Sequence, residues 1–278
     1  MAARRSRKRR SGGRRNRGGA SVLLWGSLLV AMIALLATGG YFAWSLTSSR
    51  PSIDKATLCP DTGPTGVLVV LLDLTDPLTP RQGARLRNLL DDRIARLPQD
   101  TMISFGVVSN DEARRGSLYS SCKPADGSAA SQLYENPALI TARFQREFVE
   151  PMRAGLSEAM SAGEEDRSPI MESLQALISE TPAFETSAGF HELLIVSDLL
   201  QHSDVLSFYR GEGWEALRAS GGTDRLARTL KGAQVSILKV PRPGAPAVAR
   251  DQAEGFWARY FDVQGARAPI SIEVLGDL

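Results

Sequence analysis

The stretch Gly66–Pro80, GVLVVLLDLTDPLTP, constrains the fold more than any other. From Val67 to Leu72 it is apolar without alternation, and at Asp73 it turns polar. Such a run of Val and Leu predicts a strand buried on both faces, as at the centre of a parallel sheet. Thr79-Pro80-Arg81-Gln82 then supplies an N-cap, a proline at the first helical position and a capping-box glutamine. Strand, acidic turn and helix follow one another, which puts the Asp73 carboxylate at the strand's carboxyl end. In open α/β sheets that edge is where ligands bind.

The rest of the chain continues the alternation. A helix is expected over Arg81–Leu97, with Leu86, Leu89, Leu90, Ile94 and Leu97 buried and Pro98 as its stop. Thr101–Ser109 is a second strand, and Ser117–Cys122 a short third one returning as a hairpin. A helical pattern runs from Pro137 to about Ala162, marked by Phe144, Phe148, Met152 and Leu156, with Pro151 kinking or splitting it. Gly163–Arg167 is a charged, solvated loop. Ser168-Pro169 starts a helix with Ile170, Leu174, Leu177 and Ile178 on its inner face.

Glu192–Asp198, ELLIVSD, repeats the opening pattern of an apolar strand ending in aspartate. Short helices near Trp214–Ala219 and Asp224–Leu230, a strand over Gln234–Val240, a helix over Arg250–Phe261 and a strand over Pro269–Leu275 complete the chain. The aromatic residues Phe256, Trp257, Tyr260 and Phe261 on that last helix are expected in the core. About six strands alternating with helices make residues 66–278 one doubly wound α/β domain around a mostly parallel six-stranded sheet.

The 65 residues before it have another character. Residues 1–20 hold nine Lys or Arg and no acid, while the remainder has 24 basic and 31 acidic residues. The basic tail alone resembles a nucleic-acid arm, but 26 uncharged residues follow, Ser21–Leu46. As a helix they span about 39 Å, against a hydrocarbon core of roughly 30 Å. Trp25 lies toward one end and Tyr41 and Trp44 toward the other, as interfacial aromatics do. The expected arrangement is an uncleaved membrane anchor, with a cleaved signal peptide as the alternative, its arginine-rich end in the cytoplasm and the large domain on the periplasmic or outer face. No nucleic acid is expected. Residues 47–65, rich in Ser, Thr and Pro, read as a linker. Only five of the 33 basic residues are lysine, which points to GC-rich coding and a bacterial inner membrane.

The two cysteines, Cys59 and Cys122, lie on that same side of the anchor. In an oxidising compartment such a pair is expected to bridge, with two free buried thiols as the alternative. Two cysteines exclude a cysteine-based zinc site.

Two buried strands thus end in aspartate, Asp73 and Asp198. If the strands are neighbours, both carboxylates open into one crevice. Two close carboxylates repel unless positive charge lies between them. A hard divalent cation answers that need, Mg²⁺ first, with Mn²⁺ or Ca²⁺ as alternatives, and the hydroxyls of Thr75 and Ser168 would add neutral oxygens. The plainer reading is that each aspartate caps its own turn and Ser-Pro merely opens a helix.

Asp73-Leu74-Thr75 after the first strand, Ser168-Pro169 before a middle helix and Ser197-Asp198 after a later strand together resemble the von Willebrand factor type A domain, over roughly residues 64–278. The resemblance implies a metal-ion-dependent adhesion site. Asp73 and Thr75 would match the first Asp and Ser of its Asp-x-Ser-x-Ser turn, Ser168 the distal Thr and Asp198 the distal Asp. The second Ser falls on Pro77, which has no hydroxyl.

The function so implied is protein–protein interaction with an unidentified envelope partner, through a face where loss of Asp73 would abolish binding. A structural subunit of an envelope assembly with a vestigial site is the alternative. A metal-dependent phosphoryl hydrolase is the weaker one: Asp73-Leu74-Thr75 lacks the second Asp of an Asp-x-Asp phosphatase, and no glycine-rich phosphate loop or Ser/His/Asp arrangement declares itself. His191 and His202 are expected at opposite ends of one strand, with His202 near the crevice as a general base or a partner contact.

Overall fold

The computed structural model describes residues 18–48, 51–131, 135–161, 164–226, 229–230, 232–242 and 244–276. The basic tail through residue 17 lies outside them. The chain divides into two units, residues 1–51 and 52–278.

The first unit is helix α1, Gly18–Ser48. Its window Trp25–Phe42 has a mean hydropathy of 1.6 and none of it is buried in the protein. Leu28, Leu29, Ile33, Leu35 and Leu36 are all exposed. This helix is long and apolar enough to cross a membrane.

The second unit is the α/β domain. In chain order it comprises β1 (Gly66–Leu72), α2 (Pro80–Arg96), β2 (Thr101–Val107), β3 (Ser117–Cys122), α3 (Pro137–Phe144), α4 (Glu150–Met160), α5 (Ile170–Ser179) and α6 (Pro182–Thr186). Then come β4 (Phe190–Ser197), α7 (Trp214–Ala219), α8 (Gly222–Arg225), β5 (Gln234–Lys239), α9 (Ala247–Val263) and β6 (Arg267–Val274). The strands form one sheet in the order β3-β2-β1-β4-β5-β6. All pairings are parallel except the β2–β3 hairpin. From β1 the chain winds outward to β3, then returns to β4 beside β1 and winds out the other way. The switch point of this topology lies between β1 and β4, where doubly wound sheets open a crevice.

The unbroken apolar run of β1 follows from that central place. Val67, Val69 and Leu71 pack into the core under α5 and α9, while Leu68, Val70 and Leu72 pack under α2 and α4. All six are fully buried. Helix α2 starts as its sequence predicts: Gln82 N–H donates to Thr79 Oγ1 and Thr79 N–H to Gln82 Oε1. Phe256, Trp257, Tyr260 and Phe261 of α9 are buried, as expected of core.

The long helix from Pro137 is split ahead of Pro151, as expected, and the break is a π-helical turn, Gln145–Val149. A proline ring clashes with the carbonyl four residues earlier, and widening the preceding turn makes room for it. Two expectations need correction. The helix expected over Asp224–Leu230 is the shorter α8, and residues 227–228 lie outside the described ones. Finally, the segment 52–65 is part of the domain rather than a linker. Asp54 accepts the Ala56 and Thr57 N–H groups to close a turn, Ile53 bridges Pro60, and Cys59 is disulfide-bonded to Cys122 at the end of β3. Its turn-forming composition masked a segment whose order comes from that bond and from Cys122 N–H donating to the Thr57 carbonyl.

Candidate functional site

The site is built where β1 and β4 end side by side. Their register pairs Leu72 with Val196, so the next residues, Asp73 and Ser197, stand opposite one another. Asp73 N–H continues the ladder by donating to the Val196 carbonyl at 2.8 Å.

The Asp73 side chain is buried, and both its oxygens are occupied. Oδ1 accepts the Thr75 hydroxyl at 2.7 Å. Oδ2 accepts the Ser197 hydroxyl at 2.7 Å and the Ser168 hydroxyl at 2.9 Å. Three hydroxyls from three segments thus converge on one carboxylate, an arrangement that offsets the cost of burying it. Ser168 was expected to cap its helix. Its hydroxyl instead turns to Asp73, and α5 begins without a side-chain cap.

Asp198 lies one residue beyond the Asp73 level. Its Oδ1 accepts the Leu200 N–H at 2.8 Å, and its Oδ2 lies 3.3 Å from Arg242 Nε. Burial first, and then the neighbouring Asp73 charge, push its pKa up to about 7, against the pull of the Leu200 N–H and Arg242. Leu199 holds the left-handed conformation at φ 67°, an uncommon one for a branched residue. It is clamped there: its N–H donates to Ser197 Oγ and its carbonyl accepts the Trp257 indole N–H. The strained turn fixes the direction in which Asp198 points.

Above this floor lies a cleft of about 510 Å³, with Asp76, Asp166, Ser168, Asp198, His202 and Tyr209 among its walls. His202 is held by backbone hydrogen bonds in both directions with Ser168 and by Nδ1 against the Ser207 hydroxyl at 2.8 Å. Burial holds its pKa below the ordinary histidine value. Its ring packs against Tyr209, centroids 5.3 Å apart. His191 pairs with Val67 at the other end of β4, as expected. The acidic loop is only partly solvated. Glu164 and Asp166 are exposed, but Glu165 accepts the Ser109 hydroxyl and the Asn110 N–H, while its own N–H donates to the Thr75 carbonyl. Glu165 ties the carboxyl ends of β1 and β2 together.

The four expected site residues, Asp73, Thr75, Ser168 and Asp198, are therefore brought together. Ser197 and Arg242 were missed. Ser197 was visible in the Ser-Asp pair, had the register been counted from the strand ends. Arg242 stands in the Val-Pro-Arg-Pro segment after β5, and only its position at a carboxyl edge could have flagged it.

These groups do not suit a divalent cation. Mg²⁺ demands near-ideal octahedral oxygen geometry at about 2.0–2.1 Å. Here Pro77 offers no side-chain oxygen, and a guanidinium stands beside Asp198. Among the described residues no three His, Cys, Asp or Glu side chains converge as a ligand group.

No protein-family model matches the chain, and no curated protein matches its sequence.

Proposed function

We propose that the chain is a membrane-anchored binding module, similar in plan to a von Willebrand factor type A domain, that engages another protein through the cleft at the carboxyl edge of its sheet. The observation that carries this reading is the division of labour at the switch point. Asp73 and its three hydroxyls form a buried scaffold, while Asp76, Asp166 and Tyr209 project from it, exposed. A rigid floor under exposed aromatic and charged side chains suits protein recognition.

Placement supports the reading. The chain enters the domain at Ser52, and the 52–65 segment is fastened to Cys122, which pairs with Met102 at the start of β2. Entry is therefore at the amino edge of the sheet, one strand length, about 23 Å, from the cleft. The disulfide suits an oxidising compartment, and with the positive-inside rule it favours a cytoplasmic N-terminus and an extracytoplasmic domain at a bacterial inner membrane. One observation favours a structural subunit as a second reading: the outer strand β6 has a sheet neighbour only on its β5 side among the described residues and exposes Ile272 and Val274.

Asp166→Lys combined with Tyr209→Ser tests the first reading, because both side chains are exposed and neither belongs to the Asp73 scaffold. The full chain, cross-linked in cells and solubilised in detergent, should retain a partner that the double variant loses at an unchanged melting temperature. Equal recovery of the same partner by both would place binding elsewhere.

A further inference from the structure

We infer that Arg242 is the resident cation at this edge of the sheet, bridging Asp76 and Asp198, and that the face therefore works without a metal ion.

Three carboxylates gather at one sheet edge: Asp73 and Asp76 from the turn after β1, and Asp198 from the turn after β4. Asp76 is exposed, but Asp73 and the Asp198 side chain are 4% and 8% exposed, and like charges so placed need a counter-charge close by. Arg242 supplies it from the segment after β5, the next strand over. Its Nε lies 3.3 Å from Asp198 Oδ2 and 3.3 Å from Asp76 Oδ2, so one guanidinium bridges the two turns.

Burial sharpens the effect. The Arg242 side chain is 22% exposed and that of Asp198 only 8%, so the pair is poorly screened by water, unlike a surface ion pair. A guanidinium keeps its charge under all ordinary conditions and can serve two carboxylates at once. It is also tethered covalently and cannot be chelated or diluted away.

The oxygen inventory points the same way. Thr75, Ser168 and Ser197 direct their protons to Asp73, which satisfies that carboxylate without a cation. A divalent ion at Asp198 would stand against Arg242 and be repelled by it. Pro77, in the place of a ligand serine, fits a site whose cation has been replaced by a side chain.

The inference goes beyond the partner-binding reading and survives its failure, since its test needs no partner. The full chain in detergent is titrated with Mn²⁺ and bound ion is read by electron paramagnetic resonance. Thermal midpoints are taken in Mg²⁺ and in EDTA, for the wild type and for Arg242→Gln. The expected results are an undiminished free Mn²⁺ signal with the wild type and equal midpoints in Mg²⁺ and EDTA. The Arg242→Gln midpoint should fall by about 2–4 °C, because the guanidinium that joins the Asp76 and Asp198 turns is lost. One-to-one Mn²⁺ binding by the wild type, lost in Asp198→Asn, would overturn the inference. So would an Arg242→Gln protein that melts with the wild type. The wild-type titration requires no variant to fold.

Discussion

Replacing Cys59 and Cys122 together by alanine is expected to destabilise the domain by about 4 kcal/mol. The bridge joins residues 63 apart, and a loop of that length loses much of its freedom in the unfolded chain when closed. The folded state loses less obviously but in a definite place. Thr57 presents its carbonyl to both Cys122 N–H and the Ser121 hydroxyl, and those bonds depend on the 52–65 segment lying against β3. For a domain of this size about 4 kcal/mol corresponds to a melting temperature lower by roughly 8–16 °C. Thermal unfolding of the detergent-solubilised full chain, oxidised, reduced and doubly substituted, measures it. The reduced and substituted proteins should melt together, well below the oxidised one. A substituted protein that melts with the oxidised wild type would show that the segment is held by its hydrogen bonds alone.

Asp73→Ala is expected to cost about 3 kcal/mol, which reverses the part its sequence position suggests. As a ligand or contact residue Asp73 would be dispensable for folding. In the structure it is 4% exposed and accepts three hydroxyls. Truncation leaves Thr75, Ser168 and Ser197 without their acceptor, and each buried orphan costs about 1–3 kcal/mol. Part of that loss is returned, because Asp198 no longer faces the Asp73 charge that helps raise its pKa. Asp73→Asn keeps the shape and one acceptor oxygen, so its loss should be the smaller. Urea unfolding of the two variants beside the wild type checks the order: wild type, then Asn, then Ala. An Ala variant as stable as the wild type would contradict the scaffold assignment. The destabilisation also makes Asp73→Ala a poor probe of binding, and Asp166 and Tyr209 better ones.

Much of this architecture is local enough to be visible in the chain. β1 declares its central place by having no polar alternation, and the Thr79–Gln82 capping box forms as written. Asp73, Thr75, Ser168 and Asp198 meet because strand ends and helix starts share one edge in any doubly wound sheet. What stayed hidden depends on distant partners. Ser168 has the sequence of a helix cap, yet its hydroxyl donates to a buried carboxylate 95 residues away and accepts no N–H of α5. Arg242 has no motif around it and acquires its role only when β5 aligns beside β4. The 52–65 segment looks like a linker because turn-forming residues are common to linkers and to tight, cross-linked loops alike. The π-helical turn before Pro151 answers a clash whose resolution the proline alone does not dictate.

The claim that the cleft is the working face is tested most directly by site-specific photo-cross-linking in intact cells. A photoreactive amino acid is placed at Tyr209, on the cleft wall, and separately at Gln99, an exposed residue at the amino edge of the sheet. The account predicts a discrete protein adduct from position 209 and none from position 99. No adduct from position 209, or the same adduct at equal yield from position 99, would contradict it.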